Sequence, residues 1–137
     1  MEDLKEMEII YSLKEIIILV NLKVQCKMVK VYYKNGIKYE GDFKNNVSDG
    51  NGKYIWKNGS YYIGQWIKDL KHCKGKLYYE NNNIKYDGDY KMDLFDGYEK
   101  YIDQNGEYFI GQWSNGMKVK GIIYSKDNKV LYEGDFI

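Results

Sequence analysis

One five-residue segment recurs along this chain at nearly constant spacing, and it constrains the fold more than any other feature. It reads YEGDF at Tyr39–Phe43, YIGQW at Tyr62–Trp66, YDGDY at Tyr86–Tyr90, FIGQW at Phe109–Trp113 and YEGDF again at Tyr132–Phe136. The central glycines Gly41, Gly64, Gly88, Gly111 and Gly134 are 23, 24, 23 and 23 residues apart. A period of this length marks an array of equivalent supersecondary units that stack to share one core.

Each unit follows one layout. Strand periodicity puts the two aromatics and the glycine of the recurring segment on one face, and Glu40 and Asp42 on the other. A polar turn follows, such as 44–48 or 114–117. A second strand comes next, clearest at Gly52–Trp56 and Gly75–Tyr79. Fifteen residues after the lead aromatics stand Tyr54, Leu77, Tyr101 and Tyr124, which places these four in the core. A second tight turn closes the unit at 57–59, 81–83, 104–106 or 127–128. Asn58-Gly59 and Asn105-Gly106 are the residue pair preferred in two-residue hairpin turns. Asn81–Asn83 carries the additional residue behind the spacing of 24. The 16 tyrosines favour strands, and 14 glycines without a proline suit many tight turns. The expected fold is all-β: an elongated single-layer antiparallel sheet of tandem hairpins. The recurring glycines Gly41, Gly64, Gly88, Gly111 and Gly134 are read as structural, each leaving a slot that an aromatic ring from a neighbouring strand fills.

The ends differ from the array. Residues 1–15 carry a capping-box pattern at Asp3 and Glu6, with Leu4, Met7, Ile10 and Leu13 at helical spacing. They are expected to form a short helix that caps the array or binds a partner. Residues 16–38 read as a degenerate first repeat that ends in an Asn35-Gly36 turn. Residues 39–137 hold four full units and a final half-unit, whose last strand lacks its hairpin partner. Self-association, a longer parent chain or simple termination would each account for that open edge.

The repeat resembles the MORN (membrane occupation and recognition nexus) motif, approximately Y-x-G-x-W-x-x-G-x-x-x-G-x-G-x-x-x-x-x-x-G. The best match is Tyr39–Tyr61, where Tyr39, Gly41, Phe43, Gly50, Gly52, Tyr54 and Gly59 fall on the pattern. The second unit has Cys73 in place of a glycine, the third has Tyr90 for tryptophan and Glu99 for a glycine, and in the fourth Gly121 falls one place late. The resemblance implies an elongated β-hairpin scaffold of cytoskeletal or basal complexes, found also attached to lipid kinases and methyltransferases, with phospholipid association proposed for the family.

The residues offer little for catalysis, so no catalytic residue, metal ligand or cofactor is assigned. His72 is the single histidine and reads as surface exposed. Cys73 adjoins it, but strand neighbours point to opposite faces, which argues against a dyad. The acid pairs Glu40/Asp42, Asp87/Asp89 and Glu133/Asp135 are interrupted by Ile63/Gln65 and Ile110/Gln112, so they read as a polar face. No phosphate-cradling glycine motif is present. Lys68, Lys71, Lys74 and Lys76 form the densest basic patch, read as a solvated turn. A net charge of +1 and the absence of arginine argue against nucleic acid. The longest apolar run, Ile16–Val20, is too short to span a membrane. Two cysteines without a CxxC point to a reducing setting, and the acidic N-terminus is unlike a secretory leader. The expected location is the cytoplasm, with cytoskeletal or membrane association.

One constellation remains. Tyr39, Phe43, Tyr62, Trp66, Tyr86, Tyr90, Phe109, Trp113, Tyr132 and Phe136 should line one face in rows. Either they are core, or part of that face forms a groove for a partner. The expected function is a non-catalytic scaffold for protein partners or self-association. The alternatives are a peripheral phospholipid-binding module and a regulatory segment of a larger enzyme such as a lipid kinase.

Overall fold

The computed structural model describes residues 7–10, 26–33, 35–45 and 47–136. They form one open sheet of 11 strands in sequence order. The strands are β1 (Met7–Ile10), β2 (Cys26–Tyr32), β3 (Lys38–Lys44), β4 (Val47–Ile55), β5 (Tyr61–Ile67) and β6 (Leu70–Tyr78), followed by β7 (Ile84–Lys91), β8 (Leu94–Ile102), β9 (Tyr108–Ser114), β10 (Met117–Tyr124) and β11 (Val130–Asp135). Strands β2 to β11 pair antiparallel, each with the next. The all-β, single-layer hairpin array expected from the repeat is what forms. Among the described residues no helix is long and apolar enough to cross a membrane.

The helix expected over residues 1–15 does not hold where the chain is described. Met7–Ile10 is a strand lying parallel to β2, in register Met7↔Val29 through Ile10↔Tyr32. The open edge of β2 offers a row of backbone partners, and the paired isoleucines favour extended backbone. That pairing outweighs a helical spacing of apolar residues in so short a segment. The remainder of the expected helix, and residues 16–25 of the expected first repeat, lie outside the described residues.

Two kinds of turn alternate. Between β5 and β6 the loop is Lys68-Asp69, between β7 and β8 Met92-Asp93, and between β9 and β10 Asn115-Gly116. Both residues of each loop have positive φ, from 47° to 78°, as the type I′ hairpin turn demands. Asn58-Gly59 and Asn105-Gly106 sit instead in the other kind of turn, at the 57–59 and 104–106 segments expected for it. There the loop has three residues, closed by Trp56 N–H to the Ser60 carbonyl and Gly59 N–H to the Trp56 carbonyl. The same closure joins Tyr33 to Ile37, Tyr79 to Asn83, Asp103 to Glu107 and Ser125 to Lys129. The left-handed position is Gly36, Gly59 or Gly106 in three of them and Asn82 or Asn128 in the other two.

The 79–83 turn is therefore the same length as its counterparts, and the additional residue behind the spacing of 24 is not in it. Register shifts between Leu77↔Tyr86 and Tyr78↔Ile84, leaving Lys85 as a bulge in β7. The fourth unit is irregular for a related reason. Its lead aromatic Phe109 pairs with Ile123, so Ile123 and not Tyr124 is the equivalent of Tyr54, Leu77 and Tyr101. Gly121 pairs with Gly111 as Gly52 pairs with Gly41, one place early on that count.

The register reveals a row that the glycine of the first strand only half announced. Gly41, Gly52, Gly64, Gly75 and Gly88 are successive cross-strand partners, and Glu99, Gly111, Gly121 and Gly134 continue the row. Backbones pack back to back along it. A Cβ on Gly64 would fall 2.5 Å from Gly75 Cα and 2.7 Å from the Lys74 carbonyl. The space above belongs to a ring, as expected, but the ring comes from the strand of the first glycine: Tyr39 lies over both Gly41 and Gly52.

Candidate functional site

All ten aromatics of the recurring segment meet in a single ladder. Within each unit the two rings touch edge to face, as Tyr62 and Trp66 do at 5.2 Å and 90°. Each second ring also leans back on the lead ring of the preceding unit. Trp66 meets Tyr39 at 5.5 Å, Tyr90 meets Tyr62 at 5.1 Å, Trp113 meets Tyr86 at 6.1 Å and Phe136 meets Phe109 at 5.2 Å. The order Phe43–Tyr39–Trp66–Tyr62–Tyr90–Tyr86–Trp113–Phe109–Phe136–Tyr132 is continuous. T-shaped contacts put the positive edge of one ring on the negative face of the next, each adding about 0.5–1.5 kcal/mol beyond area burial.

Burial sorts these ten. Tyr39, Tyr62, Trp66, Tyr86, Tyr90, Phe109 and Trp113 are buried, Phe43 and Phe136 are half-buried, and Tyr132 is exposed. Of the lead aromatics, Tyr39, Tyr62, Tyr86 and Phe109 are no more than 1% exposed and Tyr132 is 45% exposed. Most of the row is thus core, and the accessible part of the face lies beside it. Their hydroxyls are also engaged: those of Tyr39, Tyr62, Tyr86 and Tyr132 donate to the carbonyls of Asp42, Gln65, Asp89 and Asp135. Burial holds the phenols of Tyr39, Tyr62, Tyr86 and Tyr90 far above the ordinary tyrosine range and pushes Tyr79 up to about 12.

The carboxamide or carboxylate that follows the glycine is structural as well. Asp42 accepts the backbone N–H of Asn51 at 3.0 Å, and Gln65 accepts that of Lys74 at 3.2 Å. These N–H groups belong to the bulged part of the second strand, where register shifts between Gly41 and Phe43 and between Gly64 and Trp66. Asp87 and Asp89 instead pair with Lys76 at 2.9 Å and Lys74 at 2.8 Å. The basic patch is split accordingly. Lys74 and Lys76 take these partners, Lys68 is a turn residue, and Lys71 turns to the aromatic face. His72 is half-buried and not surface exposed; its Nδ1 lies 3.4 Å from the Met92 N–H. Among the described residues no three metal-ligating side chains gather.

The accessible part of the aromatic face is a cleft of about 640 Å³ whose walls include Trp56, Leu77, Tyr79, Tyr90, Phe95 and Lys71. Lys71 Nζ lies 5.6 Å from the Trp56 ring centre and 5.9 Å from that of Tyr90. Lys85 also lines the cleft, with Nζ 5.3 Å from the Tyr79 ring and 5.7 Å from the Tyr101 ring. Lys118, the counterpart of Lys71 two units further on, lies over Phe109 at 5.0 Å. Cations over ring faces are attracted by the ring quadrupole. The Tyr90 hydroxyl is buried without a hydrogen-bond partner among the described residues.

Trp56, Tyr79, Phe95, Lys85 and Lys118 are not singled out by the sequence as site residues because they lie outside the recurring segment, and Lys71, read there as part of a solvated turn, faces the rings instead. A signal did exist: Lys71 and Lys118 are the cross-strand partners of Trp66 and Trp113, the two tryptophans of that segment. Recognising it requires the register.

A search of curated proteins returns no match to the chain. A family model described as the MORN repeat matches residues 39–61, 62–84, 86–108 and 109–130. Each match starts on a lead aromatic of the ladder, Tyr39, Tyr62, Tyr86 or Phe109. With more than half of its length so matched, and with the matched units forming successive hairpins of one sheet, the chain belongs to the MORN repeat family.

Proposed function

We propose that this protein is a non-catalytic scaffold that binds protein partners through the aromatic face of its sheet. MORN repeats are in general modules for protein or membrane interaction, and typically non-catalytic. The observation that carries the protein reading is the cleft beside the ladder. Trp56, Leu77 and Phe95 stay half-exposed there, on a sheet that has no second layer among the described residues. Such an aromatic, partly apolar concavity on a rigid support is the kind of surface that anchors a partner side chain. The reading extends to residues 16–38 as a degenerate first repeat. In β2, Val31 pairs with Tyr39 and Val29 with Gly41, as Tyr54 and Gly52 do from the other side.

The test is affinity capture from cell extract with the intact chain and with Trp56→Ala, alongside sedimentation with anionic vesicles. Capture that depends on Trp56, with no salt-sensitive vesicle binding, is expected. Salt-sensitive pelleting without Trp56-dependent capture would instead favour the peripheral phospholipid module.

A further inference from the structure

We infer that the cleft beside Tyr90 takes a carboxylate-bearing side chain from an acidic peptide segment of a protein partner, an assignment that rests on the scaffold reading above. Three donor groups converge on this cleft with little to accept from them. Lys71 is mostly buried, its side chain 19% exposed, and its nearest carboxylate, Asp93 Oδ1, is 3.7 Å away, beyond hydrogen-bond reach. That oxygen is already held at 2.7 Å by the Lys71 backbone N–H. Lys85 reaches the cleft from the β7 bulge with its ammonium over Tyr79 and Tyr101. The third donor is the Tyr90 hydroxyl, on a side chain 3% exposed, which has no partner among the described residues. A buried hydroxyl without an acceptor costs about 1–3 kcal/mol, so an incoming acceptor recovers what folding leaves unsatisfied.

The acids at the cleft answer these donors only in part. Glu80 stands in the exposed 79–83 turn, and Asp93, held by the Lys71 backbone N–H, makes one long ion pair of 3.7 Å with the Lys71 ammonium. What remains is an apolar aromatic wall with two ammonium groups and one phenolic donor, which is complementary to Asp or Glu carried on an apolar backbone stretch. The array also breaks its own regularity here. The bulge places a lysine over the cleft, whereas the equivalent bulge residue in β11 is Leu131, between Val130 and Tyr132. Bulges re-aim side chains, and this one aims a cation at rings.

The experiment pans a random linear twelve-residue peptide display library on the full chain, then measures selected peptides by fluorescence anisotropy. Phosphatidylserine vesicles serve as the lipid control. Expected are peptides enriched in Asp or Glu that bind at least about tenfold more weakly to Lys85→Glu, with binding restored when the peptide acid is changed to lysine. Tyr90→Phe, which keeps the ring, should weaken binding by about fivefold, the loss of one hydrogen bond. Circular dichroism confirms that both variants keep the sheet. Peptides without acidic enrichment that still require Trp56 would overturn the carboxylate assignment and leave the scaffold reading standing. Failure to select any peptide, or vesicle binding that depends on Lys85, would overturn both.

Discussion

Cys73 shows how the repeat constrains single residues. It lies in the bulged segment of β6 with φ of 57°, where Gly50 and Gly97 occupy the corresponding places with φ of 112° and 89°. A side chain in left-handed backbone costs about 1–2 kcal/mol, which glycine does not incur. Cys73→Gly should therefore raise stability by about 0.5–1 kcal/mol after the greater freedom of glycine in the unfolded chain is discounted. A thermal melt checks it: an unchanged or lower midpoint would mean that the thiol contributes contacts outweighing the strain. The glycine row makes the opposite demand. At Gly64 a Cβ meets the backbone of β6, at 2.5 Å from Gly75 Cα and 2.7 Å from the Lys74 carbonyl, and backbone cannot rotate aside as a side chain can. Gly64→Val is expected to cost on the order of 3 kcal/mol or to prevent folding, and a parental urea midpoint would refute the packing of the row. Glu99 marks the place where the row does take a side chain, opposite Gly111; its carboxylate reaches Lys74 at 3.4 Å.

At the scale of the hairpin, the type I′ turns are where local sequence and local geometry disagree most. Asn115-Gly116 suits two positive φ angles, but Met92-Asp93 and Lys68-Asp69 do not. The aspartates are retained for another reason. Asp69 Oδ1 accepts the Ser48 N–H at 2.7 Å and its own N–H donates to the Ser48 carbonyl, so each turn is stapled to the preceding unit; Asp93 does the same to Lys71. Met92 has no such role as a turn former, so Met92→Asn should raise the unfolding free energy by about 0.5–1 kcal/mol, read as a higher urea midpoint at constant m. The legibility of the fold divides at the same place. Strand alternation and glycine spacing are local and periodic, so the hairpins, the facing of Tyr39 and Phe43 and the core rows were readable from residues alone. Bulge positions were not, because Lys85 and Ile123 are displaced by pairing choices made on the adjacent strand. The β1 edge was misread since a helical spacing of Leu4, Met7 and Ile10 carries no information about an available β2 partner. The cleft was hidden for that reason too: Trp56, Lys71 and Phe95 come from different units and meet only through the register.

At the scale of the whole sheet, the described residues make ten pair spacings of about 4.8 Å, a strip on the order of 48 Å in which each strand touches its neighbours and little else. Stability in such a strip is a sum of unit and nearest-neighbour terms. The aromatic ladder supplies the neighbour term, because every second ring packs on the preceding unit. Its tyrosines also set how the array responds to base. Tyr39, Tyr62, Tyr86 and Tyr90 have folded pKa values raised above 10.0 by burial, and Tyr79 is raised to about 12 for the same first cause. A phenol whose folded pKa is raised binds its proton more tightly when folded, so its contribution is intact below the unfolded value near 10. It is lost as pH rises from there through the folded value. Each such tyrosine removes up to about 1.4 kcal/mol per pH unit above 10, and five acting together exhaust a marginal stability within about two units. Alkaline titration should therefore show phenolate absorbance from these residues rising in one step with the loss of the β-sheet circular dichroism signal, between pH 10 and 12. Replacing Tyr90 with phenylalanine removes one of the five groups and should shift that step to higher pH. A gradual phenolate titration with the sheet signal intact would show instead that the ladder's hydroxyls are open to solvent, and with that the ladder would lose its standing as the core of the array.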